Sequence, residues 1–207
     1  MSKPLIYIDE NFLNEEEIAF MEKAITFGKV FQTLWIFDPD SEFDVDPEDS
    51  AVIRTDAFDG SPQVCMMGQH DASRVENAHF NDYAKSLLVK FAMKHKIPVK
   101  EVLRVKSTGT FPKPDPRPDW AHVDYAFPGY VLLIYVNDSE GDTIMYDQTY
   151  TGKEVTELTE RVRVTPKAGK AVVFDNLIYH AVATPVNNKF RQVINMNFTA
   201  LPFEINE

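Results

Sequence analysis

The apolar residues of this chain follow a helical period in two stretches before residue 98 and a strand period after it. A short strand is predicted over Leu5–Ile8. The first helix is predicted to begin after Asn14, which can cap it and form a capping box with Glu17. Gly28 is its predicted stop. Its apolar face consists of Ile18, Met21 and Ile25.

A second and longer helix is predicted over Glu76–Lys96. Its apolar residues recur at i, i+3 and i+4 spacing, and Pro98 ends the pattern because proline cannot continue a helix. We expect this helix to support the β-rich part of the chain that follows. The apolar stripe comprises Phe80, Tyr83, Ala84, Leu87, Leu88 and Phe91.

After Val99 the sequence consists of short apolar runs separated by turn signals, which is typical of a β-sandwich or barrel. No internal repeat and no linker divides the chain. We therefore expect an α+β fold with one domain over residues 1–207, helical support over about 1–98 and a β-core over about 99–201. The predicted strands are Glu101–Ser107, Tyr130–Val136, Thr143–Tyr146, Arg161–Val164, Ala171–Phe174, Ile178–Thr184 and Phe190–Thr199.

The region between the two predicted helices is less regular. Phe31–Phe37 is predicted to be a strand, whereas residues 51–75 carry no clear pattern. The acidic stretch Asp38–Ser50 is predicted to be an exposed loop rather than a calcium loop, because no glycine stands where a calcium loop turns. Further along, the four prolines of Pro112–Pro118 predict a stiff, extended segment.

Composition and charge limit the classes of protein to consider. The chain is 44% hydrophobic and 26% charged, as is usual for a globular protein, and its net charge is −11. That charge argues against non-specific binding to nucleic acid or to anionic membranes, since both present phosphates. The single cysteine, Cys65, excludes an intramolecular disulfide. The sequence shows no apolar leader and no apolar run long enough to span a membrane, so we expect a cytoplasmic location.

The candidate chemistry begins with the only His-x-Asp triplet of the sequence, His122-Val123-Asp124. In a strand, residues i and i+2 point to the same face, so the imidazole and the carboxylate can bind one metal ion from one side. His180, on a later predicted strand, is the best candidate for a third ligand. Two histidines and one carboxylate with open positions opposite form the facial triad of non-haem Fe(II) oxygenases.

A charge count connects Arg191 with this triad. Fe(II), one aspartate and a dianionic 2-oxoglutarate leave one negative charge, which lies on the distal carboxylate of the 2-oxoglutarate. A carboxylate buried without a partner is strongly unfavourable. Arg191 begins the strand that follows His180, and its guanidinium can form a bidentate pair with that carboxylate.

Taken together, these segments resemble the 2-oxoglutarate/Fe(II)-dependent dioxygenases, and especially their prolyl 4-hydroxylase-like branch. IYIDENFLNEEEIAFMEKAI resembles the N-terminal strand and helix of that branch, and WAHVDY its first metal strand. IYVND followed by EGDTIMY resembles the next hairpin. PKAGKAVVFDNLIYHAVATPV and FRQVINMNF resemble the closing strands with the distal histidine and the co-substrate base.

The resemblance implies a double-stranded β-helix, or jelly-roll, core. It implies His122, Asp124 and His180 as iron ligands, and Arg191 and Tyr135 as contacts of the 2-oxoglutarate carboxylate. It further implies O2 as a reactant, ascorbate as an additional reductant, and hydroxylation of a C–H bond with release of succinate and CO2. One departure is Lys106, which stands near a position where relatives often have a tyrosine.

The substrate suggested by the resemblance is a peptidyl residue, with proline the first candidate, while amino-acid-like and other small molecules stay open. The oligomeric state stays open as well. Two other classes of protein compete with this interpretation. One is a non-catalytic binding protein with the same fold, and the other is a cupin-like metal enzyme that uses no 2-oxoglutarate. Tyr135 can also be a packing residue, because it alternates within an apolar strand.

Overall fold

The computed structural model of the chain describes residues 3–26, 36–38, 51–53, 63–71, 74–114, 117–153, 155, 157–187 and 190–205. Within these residues lie two helices, α1 (Glu15–Ile25) and α2 (Ala78–His95). The strands of the same residues are β1 (Ile6–Asp9), β2 (Ile36–Asp38), β3 (Ala51–Ile53), β4 (Gln63–Asp71), β5 (Arg74–Val75), β6 (Val99–Thr110), β7 (Ala121–Val123), β8 (Tyr130–Tyr135), β9 (Thr143–Thr149), β10 (Glu160–Val164), β11 (Ala171–Asp175), β12 (Ile178–Val182) and β13 (Arg191–Ala200).

The strands form two antiparallel sheets. The major sheet has the order β1-β11-β8-β13-β6-β4-β2, with β5 beside β4, and the minor sheet has the order β10-β9-β12-β7-β3. Consecutive strands therefore alternate between the sheets over much of β7 to β13, as in a double-stranded β-helix. The predicted fold class, an α+β jelly roll with supporting helices, is confirmed.

The two faces of the major sheet have different partners, as β13 shows. Ile194, Met196 and Phe198 are fully buried on the face that packs against the helices. The alternate residues Val193 and Asn197 lie on the opposite, interior face, between the two sheets. Burying each large apolar side chain of the helical face contributes about 1.5–3 kcal/mol, so the helices hold the sheet against which the interior site is built.

The helices begin where the sequence predicts. Asn14 accepts a hydrogen bond from the backbone N–H of Glu17 at 3.0 Å, and the Glu17 carboxylate accepts one from the backbone N–H of Asn14 at 2.9 Å. This reciprocal pair is the predicted capping box. Asn77 caps α2 by accepting from the backbone N–H of Phe80 at 3.0 Å. The predicted stop at Gly28 lies outside the described residues, and α1 ends at Ile25.

The region without a clear sequence pattern supplies strands to both sheets. β3 pairs with β7 in the minor sheet, and β4 pairs with β6 in the major sheet. The first 98 residues thus contribute β1 to β5 in addition to both helices. Residues 31–35 of the predicted strand and residues 39–50 of the acidic stretch lie outside the described residues. Among the described helices, neither combines the length and the apolar character needed to cross a membrane.

Candidate metal centre

Two histidines face each other across neighbouring strands of the minor sheet. His122 on β7 and His180 on β12 are direct cross-strand partners, and their ring centroids lie 4.5 Å apart. Asp124 follows β7 directly, two residues after His122. One potential ligand atom from each of the three residues lies within 4.8 Å of the other two. The structure therefore brings together the three residues that the sequence singles out.

The backbone fixes which imidazole nitrogen each histidine presents. His122 Nδ1 lies 3.2 Å from the carbonyl oxygen of Trp120, and His180 Nδ1 lies 3.1 Å from that of Ile178. Each Nδ1 can donate its proton to that carbonyl, which leaves the Nε2 lone pair free. The two Nε2 atoms lie 3.7 and 4.0 Å from Asp124 Oδ1. Two imidazole nitrogens and one carboxylate oxygen thus converge as a divalent metal requires.

Asp124 is held by three side chains that sequence reasoning did not identify. Its Oδ2 accepts hydrogen bonds from Asn195 Nδ2 at 3.1 Å and from Asn197 Nδ2 at 2.8 Å. Its Oδ1 lies 2.9 Å from Nη2 of Arg104, whose Nε donates to Asn197 Oδ1 at 3.0 Å. The alternation of Asn195 and Asn197 on one strand was the available signal, but their partner is 71 and 73 residues away in sequence.

The surroundings of the three residues set their protonation. Burial raises the pKa of the Asp124 carboxyl, but Arg104 and then the two histidines lower it more, so its pKa lies well below the usual range. Burial, and then the neighbouring His180, lowers the pKa of His122 to about 3. Burial lowers the pKa of His180 as well. The carboxylate is therefore ionised and the imidazoles are neutral near pH 7, which are the forms that bind metals.

Arg191 is almost fully buried at the start of β13, with 2% of its surface exposed. Its Nε donates to the carbonyl oxygen of Gly141 at 2.7 Å, and its Nη2 donates to Thr143 Oγ1 at 2.8 Å. The Tyr135 hydroxyl donates to the same Thr143 oxygen at 2.7 Å, and the guanidinium lies 5.7 Å from the Tyr135 ring centroid. The two residues predicted to contact a co-substrate are therefore neighbours, joined by Thr143, which the sequence did not single out.

The charge of Arg191 has no ion-pair partner among the described residues. Asp119 and Asp142 act on it electrostatically at longer range. Each of these carboxylates has a cation of its own, Lys113 at 3.7 Å and Arg163 at 3.5 Å respectively. A buried guanidinium without a carboxylate is unfavourable, and burial accordingly lowers the pKa of Arg191. Its environment fits a position that receives an anion from outside the chain.

Arg191 and the metal candidates share the space between the sheets. Arg191, Val193 and Asn195 are alternate residues of β13 and all face the interior. The Cα atoms of Arg191 and Asn195 therefore lie about 13 Å apart along the strand. On the strands around them, buried apolar side chains such as Phe174 and Ile178 exclude water. The Phe174 ring meets the His180 ring edge to face at 4.9 Å. The interior thus combines a ligand triad, a buried cation and an apolar wall.

The remaining histidines lie elsewhere in the fold. His79 is exposed on α2. His95, at the end of α2, has a side chain only 8% exposed that lies 2.8 Å from Asp9 Oδ2. The contact forms because strand β1 packs its last residue, Asp9, beside the end of α2. The side chain of His70, on β4, lies outside the described residues.

No protein-family model and no curated protein matches this chain. Solved structures match it over most of its length. AviO1 from Streptomyces viridochromogenes superposes with a TM-score of 0.60 at 16% identity, over 98% of this chain and 94% of its own. The α-ketoglutarate-dependent non-haem epimerase SnoN from nogalamycin biosynthesis superposes with a TM-score of 0.57 at 11% identity, over 95% and 78%.

A prolyl hydroxylase from Trichoplax adhaerens, in complex with a peptide fragment of hypoxia inducible factor, gives a TM-score of 0.50 at 13% identity, over 94% of this chain and 83% of its own. α-Ketoglutarate is another name for 2-oxoglutarate, so these structures include the class that the sequence resembles. The resemblance to 2-oxoglutarate/Fe(II) oxygenases, prolyl hydroxylases among them, is confirmed at the level of the fold.

Proposed function

We propose that this protein is an Fe(II)- and 2-oxoglutarate-dependent dioxygenase that hydroxylates a C–H bond of its substrate. The observation that carries the proposal is the buried convergence of His122, Asp124 and His180 in the same interior as the guanidinium of Arg191, which has no ion-pair partner among the described residues. A metal-binding protein needs only the triad. The second feature, a buried cation without a carboxylate, is what a dicarboxylate co-substrate would complete.

The three ligand candidates fit Fe(II) by donor type and by arrangement. Two neutral imidazoles and one carboxylate are the donor set of the facial triad, which leaves coordination positions open on the far side. The hydrogen bonds of Asn195 and Asn197 occupy Oδ2 of Asp124, so Oδ1 is the oxygen directed towards the histidines. His122, Asp124 and His180 would hold the iron, and iron supplies the activation of O2 when it is bound.

The co-substrate would be held by Arg191, with Tyr135 beside it. Thr143 Oγ1 already accepts hydrogen bonds from both residues, which keeps the guanidinium fork and the phenol in fixed positions. The overall reaction joins substrate, O2 and 2-oxoglutarate to give hydroxylated substrate, succinate and CO2. The chain's own part is to orient the reactants and, through its apolar wall, to exclude water.

The substrate we propose is a peptidyl residue, with proline as the first candidate, or an amino-acid-like molecule. The prolyl hydroxylase of similar fold is in complex with a peptide. The epimerase of similar fold has also been solved with Fe3+, α-ketoglutarate and a nogalamycin derivative. The shared fold therefore serves peptides and small molecules alike, and a substrate screen should contain both.

Fe(II)-dependent formation of succinate tests the proposal. The protein is incubated with Fe(II), ascorbate, O2 and 2-oxoglutarate, with and without a pool of proline-containing peptides. We expect succinate from the wild type and none above background from His180→Ala. His79→Ala is the matched control, because the same substitution is made on the exposed face of α2. Thermal unfolding of each variant reports whether the fold is retained.

Two results would contradict the proposal. Equal succinate formation by wild type and His180→Ala would remove His180 from the centre. Tight Fe(II) binding without any binding of 2-oxoglutarate would instead support the cupin-like, 2-oxoglutarate-independent metal protein.

A further inference from the structure

Besides Arg191, the interior carries further positive charge on one face of β6, close to the three candidate metal ligands. Arg104 and Lys106 alternate on this face, whereas Val105 and Ser107 are fully buried on the opposite face. In the register of the sheet, Arg104 lies opposite Asn197 and Lys106 lies opposite Asn195. Both asparagines donate hydrogen bonds to Asp124. Because the Cβ atoms of directly opposite residues lie about 5 Å apart, the Cβ of Lys106 lies about 5 Å from that of Asn195, which contacts the candidate metal carboxylate.

Lys106 is half-buried and forms no hydrogen bond or ion pair with any residue in the described part of the chain. Lysines that lose solvent are usually paired with a carboxylate. The chain has 32 acidic and 21 basic residues, so acidic partners are abundant. A half-buried lysine that faces the interior and has no such partner in the described residues of so acidic a protein points to an anion supplied from outside the chain.

The polar network beside Lys106 is also incomplete. Asn195 Oδ1 is buried and has no hydrogen-bond partner among the described residues. A buried acceptor left in this state is unfavourable. Across β6 from Asn195, Lys106 is flanked by Met67 of β4, which offers it no charge partner. The β6 side of the space between the sheets therefore carries polar groups that lack partners among the described residues, in contrast to the apolar β8 and β11 side.

The charge balance of the site with Fe(II) and 2-oxoglutarate bound indicates the sign of the charge on the group that would complete it. With Fe(II), Asp124, a dianionic 2-oxoglutarate and Arg191, the positive and negative charges cancel. Within the described residues, the structure adds Arg104, whose one ion-pair partner is Asp124, and Lys106, which has none. The loaded site therefore carries two uncompensated positive charges on one strand.

We infer that Arg104 and Lys106 form an anion subsite for the substrate, and that the substrate carries a carboxylate beside the C–H bond to be hydroxylated. This inference rests on the proposed function and narrows its substrate to acidic molecules. The carboxylate can come from an acidic side chain of a peptide or from a free small acid. Lys106 binds it directly, and Arg104 adds positive potential while it positions Asp124.

Matched carboxylate and amide ligands test this subsite without turnover. Fe(II)-loaded protein saturated with 2-oxoglutarate is kept anaerobic and mixed with two pools. One pool contains peptides in pairs that differ only by Asp or Asn, or by Glu or Gln. The other contains N-acetylated amino acids paired with their amides. Ligands that stay with the protein through rapid gel filtration are counted by mass spectrometry.

The wild type is expected to retain a carboxylate member at least tenfold over its amide partner, and the pool that supplies it identifies the source. Lys106→Met should reduce this preference at least tenfold, and Lys106→Arg should restore most of it. Lys100→Met is the matched control, because Lys100 lies exposed on the same strand. It removes the same charge and should leave the preference unchanged.

The inference is overturned if amides are retained as well as acids, if no acid is retained, or if Lys106→Met leaves the preference intact. It is also overturned if Lys106→Met weakens 2-oxoglutarate binding instead, since Lys106 would then belong to the co-substrate site. A wild-type titration with 2-oxoglutarate precedes the screen. If 2-oxoglutarate does not bind, the proposed function fails, whereas normal binding without acid preference removes only the subsite.

Discussion

Replacing Arg191 with methionine should weaken 2-oxoglutarate binding by roughly two to four orders of magnitude. Methionine retains much of the side-chain volume but removes the charge and the guanidinium fork. The distal carboxylate would then be buried without a partner, which costs about 3–5 kcal/mol, and each 1.4 kcal/mol corresponds to about a factor of ten in the dissociation constant. Fe(II) binding should change little, because Arg191 is not among the converging ligand atoms.

The substitution also affects folding, so it needs a control matched in position and chemistry. Arg191→Met removes the donor to the Gly141 carbonyl and one of the two donors to Thr143 Oγ1, the other being the Tyr135 hydroxyl. Gln192→Met makes the same new residue at the next position of β13. It removes a fully buried side chain that accepts from Thr26 Oγ1 at 2.8 Å on the helical face. This control should lower the free energy of unfolding but keep the affinity for 2-oxoglutarate.

The assay is an anaerobic titration of each Fe(II)-loaded variant with 2-oxoglutarate, followed by the metal-to-ligand charge-transfer absorbance. If the Arg191→Met curve superimposes on the wild-type curve, Arg191 does not hold the co-substrate. If Gln192→Met loses affinity as strongly as Arg191→Met, the effect comes from damage to β13 rather than from the missing charge.

Two further predictions concern single contacts. Tyr135→Phe removes the hydroxyl that donates to Thr143, so 2-oxoglutarate affinity in the same titration should fall about fivefold, for about 1 kcal/mol; an unchanged affinity would leave Tyr135 a packing residue. Burial raises the pKa of Asp9, but hydrogen bonds from Lys94 and His95 lower it by more, so the net pKa lies below the usual value of an aspartate. The ionised carboxylate therefore stabilises the fold above the unfolded-state pKa, and this contribution is lost as pH falls through the lower folded-state pKa. In urea unfolding, Asp9→Asn should cost about 1–3 kcal/mol at pH 7 and less near pH 3; an equal cost at both pH values would contradict it.

Local patterns predicted the parts of the molecule that depend on near neighbours in sequence. The capping box of Asn14 and Glu17 spans three residues, and the spacing of His122 and Asp124 follows from strand geometry alone. His180 was a candidate from its strand position and Arg191 from a charge count, but strand patterns do not reveal which strands become neighbours, so the resemblance to a family supported placing both in one site. The core strands after Val99 were found because each is an apolar run bounded by turns.

The parts that were missed depend on pairing between distant strands. β3 and β4 lie in a region without clear periodicity, and they are recognised as strands only through their partners β7 and β6. The support of Asp124 by Arg104 and Asn197 depends on the register of β6 against β13. A shift of β6 by one residue against β13 would turn Arg104 to the helical face and away from Asp124. No local signal in the sequence carries that register.

The most direct test of the central claim is the position of iron in crystals grown anaerobically with Fe(II) and 2-oxoglutarate. Diffraction data collected on the two sides of the iron absorption edge locate the ion independently of any other density. We predict one anomalous peak bonded to His122 Nε2, Asp124 Oδ1 and His180 Nε2, with 2-oxoglutarate reaching from the ion to the guanidinium of Arg191. A peak bound by other side chains, or iron at the triad with 2-oxoglutarate absent from Arg191, would contradict the account.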